Sequence, residues 1–331
     1  MNTIKDDAAN GAFKPVYLLY GPERYLVDHY ENLIRSAVTA DDMTGLNTDI
    51  FTGKEAAYSA VENAVNSLPF MSRRRLVLLR DTGLLSPGRK DDSELMCGLI
   101  PRVPESAVLL IVEREADRRM KLYKRIAEHG HVEEFNPPGE GQLVKWVGDI
   151  CAQSGMKISR AACLELLRTV APDMNTISAE LRKLIAYKGA EAEIGAGDIA
   201  QVCVKSAEAK IFALVDAIGQ RDTARALAEY ANLLRARESP IMILTMIARQ
   251  YRIVLQCALY AAQGKRADEI AGLTGQRGFV ITQALRQARN FTQAGLIQAL
   301  SDCLEADVSI KTGRIKDALA VELLILRADP S

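Results

Sequence analysis

The residues best placed to do chemistry sit where an apolar run meets a turn. Val16-Tyr17-Leu18-Leu19-Tyr20 ends in Gly21, and Pro22-Glu23-Arg24-Tyr25-Leu26 follows. This order reads as a buried strand, a tight turn and a helix from about Pro22. In a nucleotide-binding α/β domain such a junction holds a glycine-rich loop with a Lys and a Ser or Thr. Its successive backbone N–H groups and the helix N-terminus then face phosphate oxygens. Here Pro22 removes one N–H, and Glu23 sets a carboxylate at the positive helix end, where it would repel a triphosphate. Arg24 alone makes a weak phosphate site. Glu23 and Arg24 read as a solvated, capped helix start. A second position for nucleotide chemistry is the end of Leu109-Leu110-Ile111-Val112, where an active ATPase needs an acidic pair for a metal. Only Glu113 is present, with Arg114 after it. ATP hydrolysis by this chain alone is not expected.

Other reactive side chains are sparse. The histidines are His29, His129 and His131. His129 and His131 flank Gly130 near a helix end and lack a third ligand, so they read as solvated side chains rather than a metal site. The cysteines, at 97, 151, 163, 203, 257 and 303, form no CxxC pair and read as buried core thiols of a reducing cytoplasm. No pair of metal-binding carboxylates stands in a polymerase-like context. No catalytic residue, cofactor or metal is expected.

Ser67-Leu68-Pro69-Phe70-Met71-Ser72-Arg73-Arg74-Arg75 offers a different chemistry, that of contact. It joins a helix to the strand Leu76–Leu79. Such connections are usually polar, and this one gathers Leu, Pro, Phe and Met ahead of the arginines. Pro69 stiffens the turn and lowers the entropy cost of presenting Phe70. Two readings are open from these residues: an apolar plug for a partner's pocket, or side chains folded back onto their own domain. Arg73–Arg75 reads as a solvated strand entrance rather than a nucleic-acid patch.

The elements that position these residues change character along the chain. Strands are predicted at Val16–Tyr20, Asp49–Phe51, Leu76–Leu79, Val108–Val112 and Val132–Phe135, with helices near 22–38, 54–66, 91–100 and 117–129. This alternation argues a parallel sheet with helices on both faces. The continuous apolar runs at 76–79 and 108–112 suit strands buried on both sides. Asn136-Pro137-Pro138-Gly139 breaks the pattern. Beyond it the strand signal all but disappears. Helices are predicted near 140–154, 159–170, 173–188, 196–202, 207–219, 221–236, 240–263, 276–289, 292–312 and 315–327. Asp173, Ser239 before Pro240, and Thr292 are N-cap candidates, and Gly155, Gly189, Gly264 and Gly313 sit where glycines stop helices. Ile241, Leu244, Ile247, Tyr251 and Val254 form an apolar stripe at helical period. The architecture is α/β plus all-α, with a small helical domain, a larger C-terminal one, and a hinge around Lys205–Ala209.

Composition fits this picture. Of 331 residues, 48% are hydrophobic and 25% charged, and net charge is zero. A whole-chain pull towards nucleic acid is not predicted. No run of 18 apolar residues suggests a membrane span, and Met1–Asp7 lacks a signal-peptide core. A cytoplasmic protein is expected.

Several segments then coincide in order. They are Tyr17 through Leu26; Leu68-Pro69-Phe70 with Arg74-Arg75-Leu76-Val77; Asn175 with Glu180-Leu181-Arg182-Lys183-Leu184; Phe212 through Ile218; Pro240 through Leu244 with Gln250-Tyr251-Arg252; and Asp307 through Gly313 with Glu322 through Ile325. With them the chain resembles, over nearly its whole length, the delta subunit of the bacterial DNA polymerase III clamp loader. The resemblance implies an AAA+ like domain over 1–138 that has lost ATP binding, a helical lid over 139–206, and a helical collar over 207–331. It implies a non-catalytic subunit that binds and opens the ring-shaped sliding clamp (beta). Its partners would be ATPase subunits and a delta-prime subunit, with primed DNA met through the complex and no membrane. DNA polymerase activity would belong to the holoenzyme. The clamp contact maps by position onto Leu68, Pro69, Phe70 and Met71. Many members carry Leu-Phe where this chain has Pro69-Phe70, which leaves Phe70 as the anchor. Lys311 and Arg314 are candidates for DNA or subunit contact, against a simpler reading as the basic end of a stopped helix. The competing reading is a helical adaptor with a degenerate nucleotide-binding domain, which predicts that Phe70 is buried.

Overall fold

A computed structural model describes residues 2–53, 56–170, 173–189, 193–276 and 278–327. The chain divides into two compact units, Met1–Pro137 and Pro138–Ser331.

The first unit is built on a parallel sheet. Its strands are β1 (Val16–Tyr20), β2 (Thr48–Thr52), β3 (Arg75–Arg80), β4 (Ala107–Glu113) and β5 (His131–Glu134), in the order β2-β3-β4-β1-β5. β1 and β4 are buried along their whole length, as the unbroken apolar runs require. Helices α1 (Asn2–Asn10) and α2 (Arg24–Val38) cover one face, where Ile4, Val27, Tyr30 and Ile34 pack against Tyr17, Leu19, Leu78 and Leu110. Helices α3 (Tyr58–Asn66), α4 (Lys90–Leu99) and α5 (Lys121–His129) cover the other, where Val61, Met96, Leu122 and Ile126 meet Leu18, Val77, Leu109 and Ile111. Tyr17 sends its hydroxyl to Asp7 at 2.7 Å, which ties α1 to the sheet.

Several boundaries differ from the sequence reading. α1 was not expected: among its described side chains Ile4 is the buried apolar one, so no helical stripe announces it. α2 starts at Arg24, not Pro22, because residues 21–23 form the turn. α5 starts at Lys121, after a turn held by Asp117, whose carbonyl accepts the Met120 N–H at 3.0 Å. The start predicted for α3 falls partly on residues 54 and 55, which lie outside the described residues.

The second unit is helical: α6 (Glu140–Gln153), α7 (Arg160–Thr169), α8 (Met174–Lys188), α9 (Ala196–Val202), α10 (Ala207–Gly219), α11 (Thr223–Arg235), α12 (Pro240–Ala262), α13 (Ala267–Thr274), α14 (Gly278–Ala288), α15 (Gln293–Lys311) and α16 (Asp317–Arg327). Asp173, Ser239 and Thr292 each cap as expected, accepting from Thr176, Met242 and Gly295. Within the segment expected as a hinge, Ser206 caps α10 and donates its own N–H to Thr169 at 2.9 Å. Two features differ from the sequence reading. Lys157–Ile158 and Glu193–Ile194 pair as a short parallel ladder, β6 and β7, too brief to show alternation. α13 was missed because only Ile270 of its eight residues is buried.

The core of residues 211–325 is centred on α12. Its buried Ile243, Leu244, Ile247, Tyr251 and Val254 meet α10, α14, α15 and α16. By length and composition α12 could cross a membrane. Its burial in this core, and Arg249 and Arg252 within it, are those of a central packing helix.

Candidate functional site: a closed phosphate turn and a clamped apolar loop

α2 and α5 lie on opposite faces of the sheet, so the chain leaves β1 and β4 in opposite directions at their carboxyl ends. In open α/β sheets that divergence is where ligands bind. Here the turn after β1 is closed by its own backbone. Gly21 has φ +133°, and a Cβ at this position would lie 2.3 Å from the Phe135 carbonyl oxygen. Only glycine lets the turn approach the end of β5 so closely. The Glu23 N–H donates to that same carbonyl at 3.0 Å, and the Phe135 N–H donates to the Tyr20 carbonyl at 2.8 Å. Pro22 has no N–H, and the N–H groups of Glu23, Arg24 and Tyr25 are engaged by Phe135, Pro22 and Glu23, so these amides are not offered to a phosphate.

Glu23 caps α2 as expected, accepting from the Tyr25 N–H at 3.4 Å, but it is 3% exposed rather than solvated. Docking of the turn on Phe135 has carried it inside. Arg24 turns back to the sheet and donates to the Glu113 carbonyl at 3.2 Å. The Glu113 carboxylate, buried at the end of β4, accepts the Thr82 hydroxyl and the N–H groups of Thr82 and Gly83 at 3.0 and 3.1 Å. Burial nonetheless holds its pKa above the ordinary glutamate range. It serves as the anchor of the turn after β3. Beside it, Arg80 bonds the buried Glu31.

The apolar loop lies at the opposite edge of the same sheet. β2 and β3 are parallel neighbours, with Thr48 opposite Leu76. The connections that enter them, 39–47 and 67–74, therefore meet at one end. Leu68 and Met71 are each 81% exposed and Phe70 is 55% exposed, with Pro69 half-buried between them. The side chains do not fold back onto the domain.

The backbone beneath them is held from several directions. Asn47, fully buried, grips Phe70 at both ends of its peptide: its amide oxygen accepts the Phe70 N–H at 2.6 Å, and its amide nitrogen donates to the Phe70 carbonyl at 2.9 Å. The Asp41 carboxylate accepts the Ser72 hydroxyl at 2.6 Å and the Arg73 N–H at 3.0 Å, and these bonds hold its pKa below the usual range. Met71 takes φ +52°, a left-handed turn that this bonding sustains. Arg75 pairs with Asp49 at 2.6 Å and reaches the Leu68 carbonyl at 3.3 Å. Arg74 donates to the carbonyls of Gly11 and Glu105 and lies over the Phe13 ring. Arg74 and Arg75 are thus part-buried loop supports at a strand entrance, rather than the solvated side chains expected. Asn47 and Asp41 escaped the sequence reading. Polar residues in a connection carry no periodic signal, and their partners lie 23 and 31 residues further on.

The remaining candidates are scattered. Lys311 pairs with Asp307 at 2.7 Å and Arg314 donates to the Thr312 hydroxyl at 3.1 Å, both exposed around Gly313 (φ +70°) at the end of α15. That is the geometry of a stopped helix. His131 lies on β5 beside Glu133 at 3.1 Å, part-buried rather than solvated. All six cysteines are buried and free. Among the described residues no group of three His, Cys, Asp or Glu side chains is placed to hold a metal.

These features define the class: a parallel-sheet α/β domain of nucleotide-binding type whose phosphate turn is filled by its own backbone, joined to a helical unit. Comparison with known proteins narrows it. The family model "DNA polymerase III, delta subunit" matches residues 17–136, and the model for the delta subunit's C-terminal domain matches residues 208–328. The DNA polymerase III subunit delta of Bacillus subtilis (strain 168) is 27% identical over 324 residues, 96% of this chain and 93% of that protein. The solved structure of the Bacillus subtilis DNA clamp loader delta protein matches with TM-score 0.74 and 25% identity, over 99% of this chain and 98% of that one. The chain resembles the DNA polymerase III delta subunit over nearly its whole length, and this homology supports a clamp-loader role in DNA replication.

Proposed function

We propose that this chain is a non-catalytic clamp-loader subunit that binds a ring-shaped sliding clamp through Leu68, Pro69, Phe70 and Met71 and holds the ring open for loading on primed DNA. The observation that carries the reading is the clamped, outward-facing Phe70. An exposed aromatic on a stiff loop carries a large apolar area that a partner pocket can bury at little entropy cost. Burying a Phe side chain fully contributes about 1.5–3 kcal/mol. Roughly half of Phe70 remains to be covered, and Leu68 and Met71 add to it.

A subunit that binds the open ring better than the closed one shifts the ring equilibrium without hydrolysing anything. The closed turn at Gly21–Glu23 fits that division of labour, with ATP handled by neighbouring ATPase subunits and a delta-prime subunit completing the assembly. In this reading residues 139–206 are the lid, residues 207–331 the collar, and Lys311 and Arg314 outward cations available to DNA or a neighbouring subunit. Any polymerase activity belongs to the holoenzyme, and the work is done in the cytoplasm. The adaptor reading predicts a buried Phe70, and its exposure argues against it.

The test is binding of the full chain to the purified sliding clamp of the same organism, without nucleotide, wild type against Phe70→Ala. Loss of about 1.4 kcal/mol or more, tenfold in Kd, is expected. Wild-type binding that survives the substitution would move the site elsewhere, and a folded wild type that does not bind would end the clamp reading.

A further inference from the structure

Met43 is 99% exposed and Leu46 is 64% exposed, both on the connection that enters β2. They are not on a loose loop. One carboxylate, Asp42, organises the whole bulge: Oδ1 accepts the Thr44 N–H at 3.1 Å, the Thr44 hydroxyl at 2.8 Å and the Gly45 N–H at 3.0 Å, and Oδ2 accepts the Asn47 N–H at 3.0 Å. An Asp that wraps its following residues in this way makes a stiff turn, and its pKa is drawn down to about 2 by these bonds, the Thr44 hydroxyl first. The two apolar side chains are held outward at a standing cost in solvation.

Both ends of the bulge are bonded to the loop that carries Phe70. Asp41, at its start, holds Ser72 and Arg73; Asn47, at its end, holds Phe70. The two connections enter adjacent parallel strands at one sheet edge, so Met43 and Leu46 are fastened to Leu68, Phe70 and Met71 through hydrogen bonds. We infer that residues 43–46 are a second, sequence-distant half of the docking surface, and that Met43 and Leu46 contact the same ring protein that receives Phe70. This rests on the reading of Leu68–Met71 as the clamp contact. Continuity with that loop selects the occupant, because a ring seated on Phe70 would also approach a bulge bonded to Phe70's own peptide. Methionine suits this place, since its flexible, polarisable side chain adapts to an irregular apolar surface.

The experiment compares the full-length wild type, Phe70→Ala, the double variant Met43→Ser with Leu46→Ser, and the conservative pair Met43→Leu with Leu46→Met, each titrated against the purified ring protein without nucleotide. Thermal melts are recorded alongside. The expected result is an unchanged melting temperature, a Kd raised about three- to tenfold in the serine variant, chiefly through faster dissociation, and near-wild-type binding by the conservative pair. A serine variant that binds as the wild type does, while Phe70→Ala loses binding, overturns the inference and leaves the clamp reading standing. A conservative pair that loses as much as the serine variant also overturns it. A wild type that does not bind sinks both.

Discussion

On the proposed reading, replacing Asn47 with Ala should weaken binding to the sliding clamp although Asn47 is fully buried. The side chain makes two hydrogen bonds to Phe70, at 2.6 and 2.9 Å. Its main-chain bonds, from its own N–H to Asp42 and from the Leu76 N–H to its carbonyl, survive the substitution. Each lost side-chain bond is worth about 1 kcal/mol net, and more where the partner is left dry. Phe70 is half exposed, so water can reach its peptide, and the loss is about 2 kcal/mol. That shifts the local balance between held and released loop about thirtyfold, at 1.4 kcal/mol per tenfold. Apparent affinity falls with the fraction of chains in the competent state, so Kd rises about tenfold when the held loop starts at about two to one over the released one, and only about twofold when it starts at about thirty to one. If the same loss were felt by the whole domain, the melting temperature would fall by about 4–8 °C. Local release predicts a smaller change. Two assays separate these: titration against the purified ring, and hydrogen exchange at the Phe70 amide, which Asn47 protects. Wild-type affinity in Asn47→Ala, with Phe70 exchange unchanged, would refute the claim that the loop works by being held in advance.

Two further perturbations probe the carboxyl ends of the sheet's strands. Gly21→Ala must fit a Cβ 2.3 Å from the Phe135 oxygen at φ +133°; a destabilisation of about 2–4 kcal/mol is expected, and a melt close to wild type would show that the turn is not closed on β5 as described. Glu113 supplies a pH dependence. Burial raises its folded pKa above the ordinary 4.5, so its contribution is complete below that value and is lost as pH rises through the folded pKa. Gln cannot titrate. The melting temperature of Glu113→Gln relative to the parent should therefore rise as pH increases from the ordinary glutamate value through the raised folded pKa; a flat or falling difference would contradict the assignment.

The sequence by itself determined the elements whose causes are local. Continuous apolar runs marked β3 and β4 because both faces of those strands are covered. Asp173, Ser239 and Thr292 marked helix starts because an N-cap bonds an amide three residues on. Pro22 and Glu23 showed that the turn after β1 lacks a phosphate cradle, since a missing N–H is a property of the residue itself. The composition of Leu68–Met71 showed an unusual loop but left two readings open. Tertiary structure decided between exposure and burial, because that depends on what lies across from the loop. It also decided that Glu23 is inside, since Phe135 closes over the turn from 112 residues away. Above all it decided the pairing of Asn47 with Phe70 and of Asp41 with Ser72. Nothing near either Asp41 or Asn47 in the chain predicts its partner. The strand order β2-β3 brings two connections to one edge, and only there do a buried amide and a distant peptide meet.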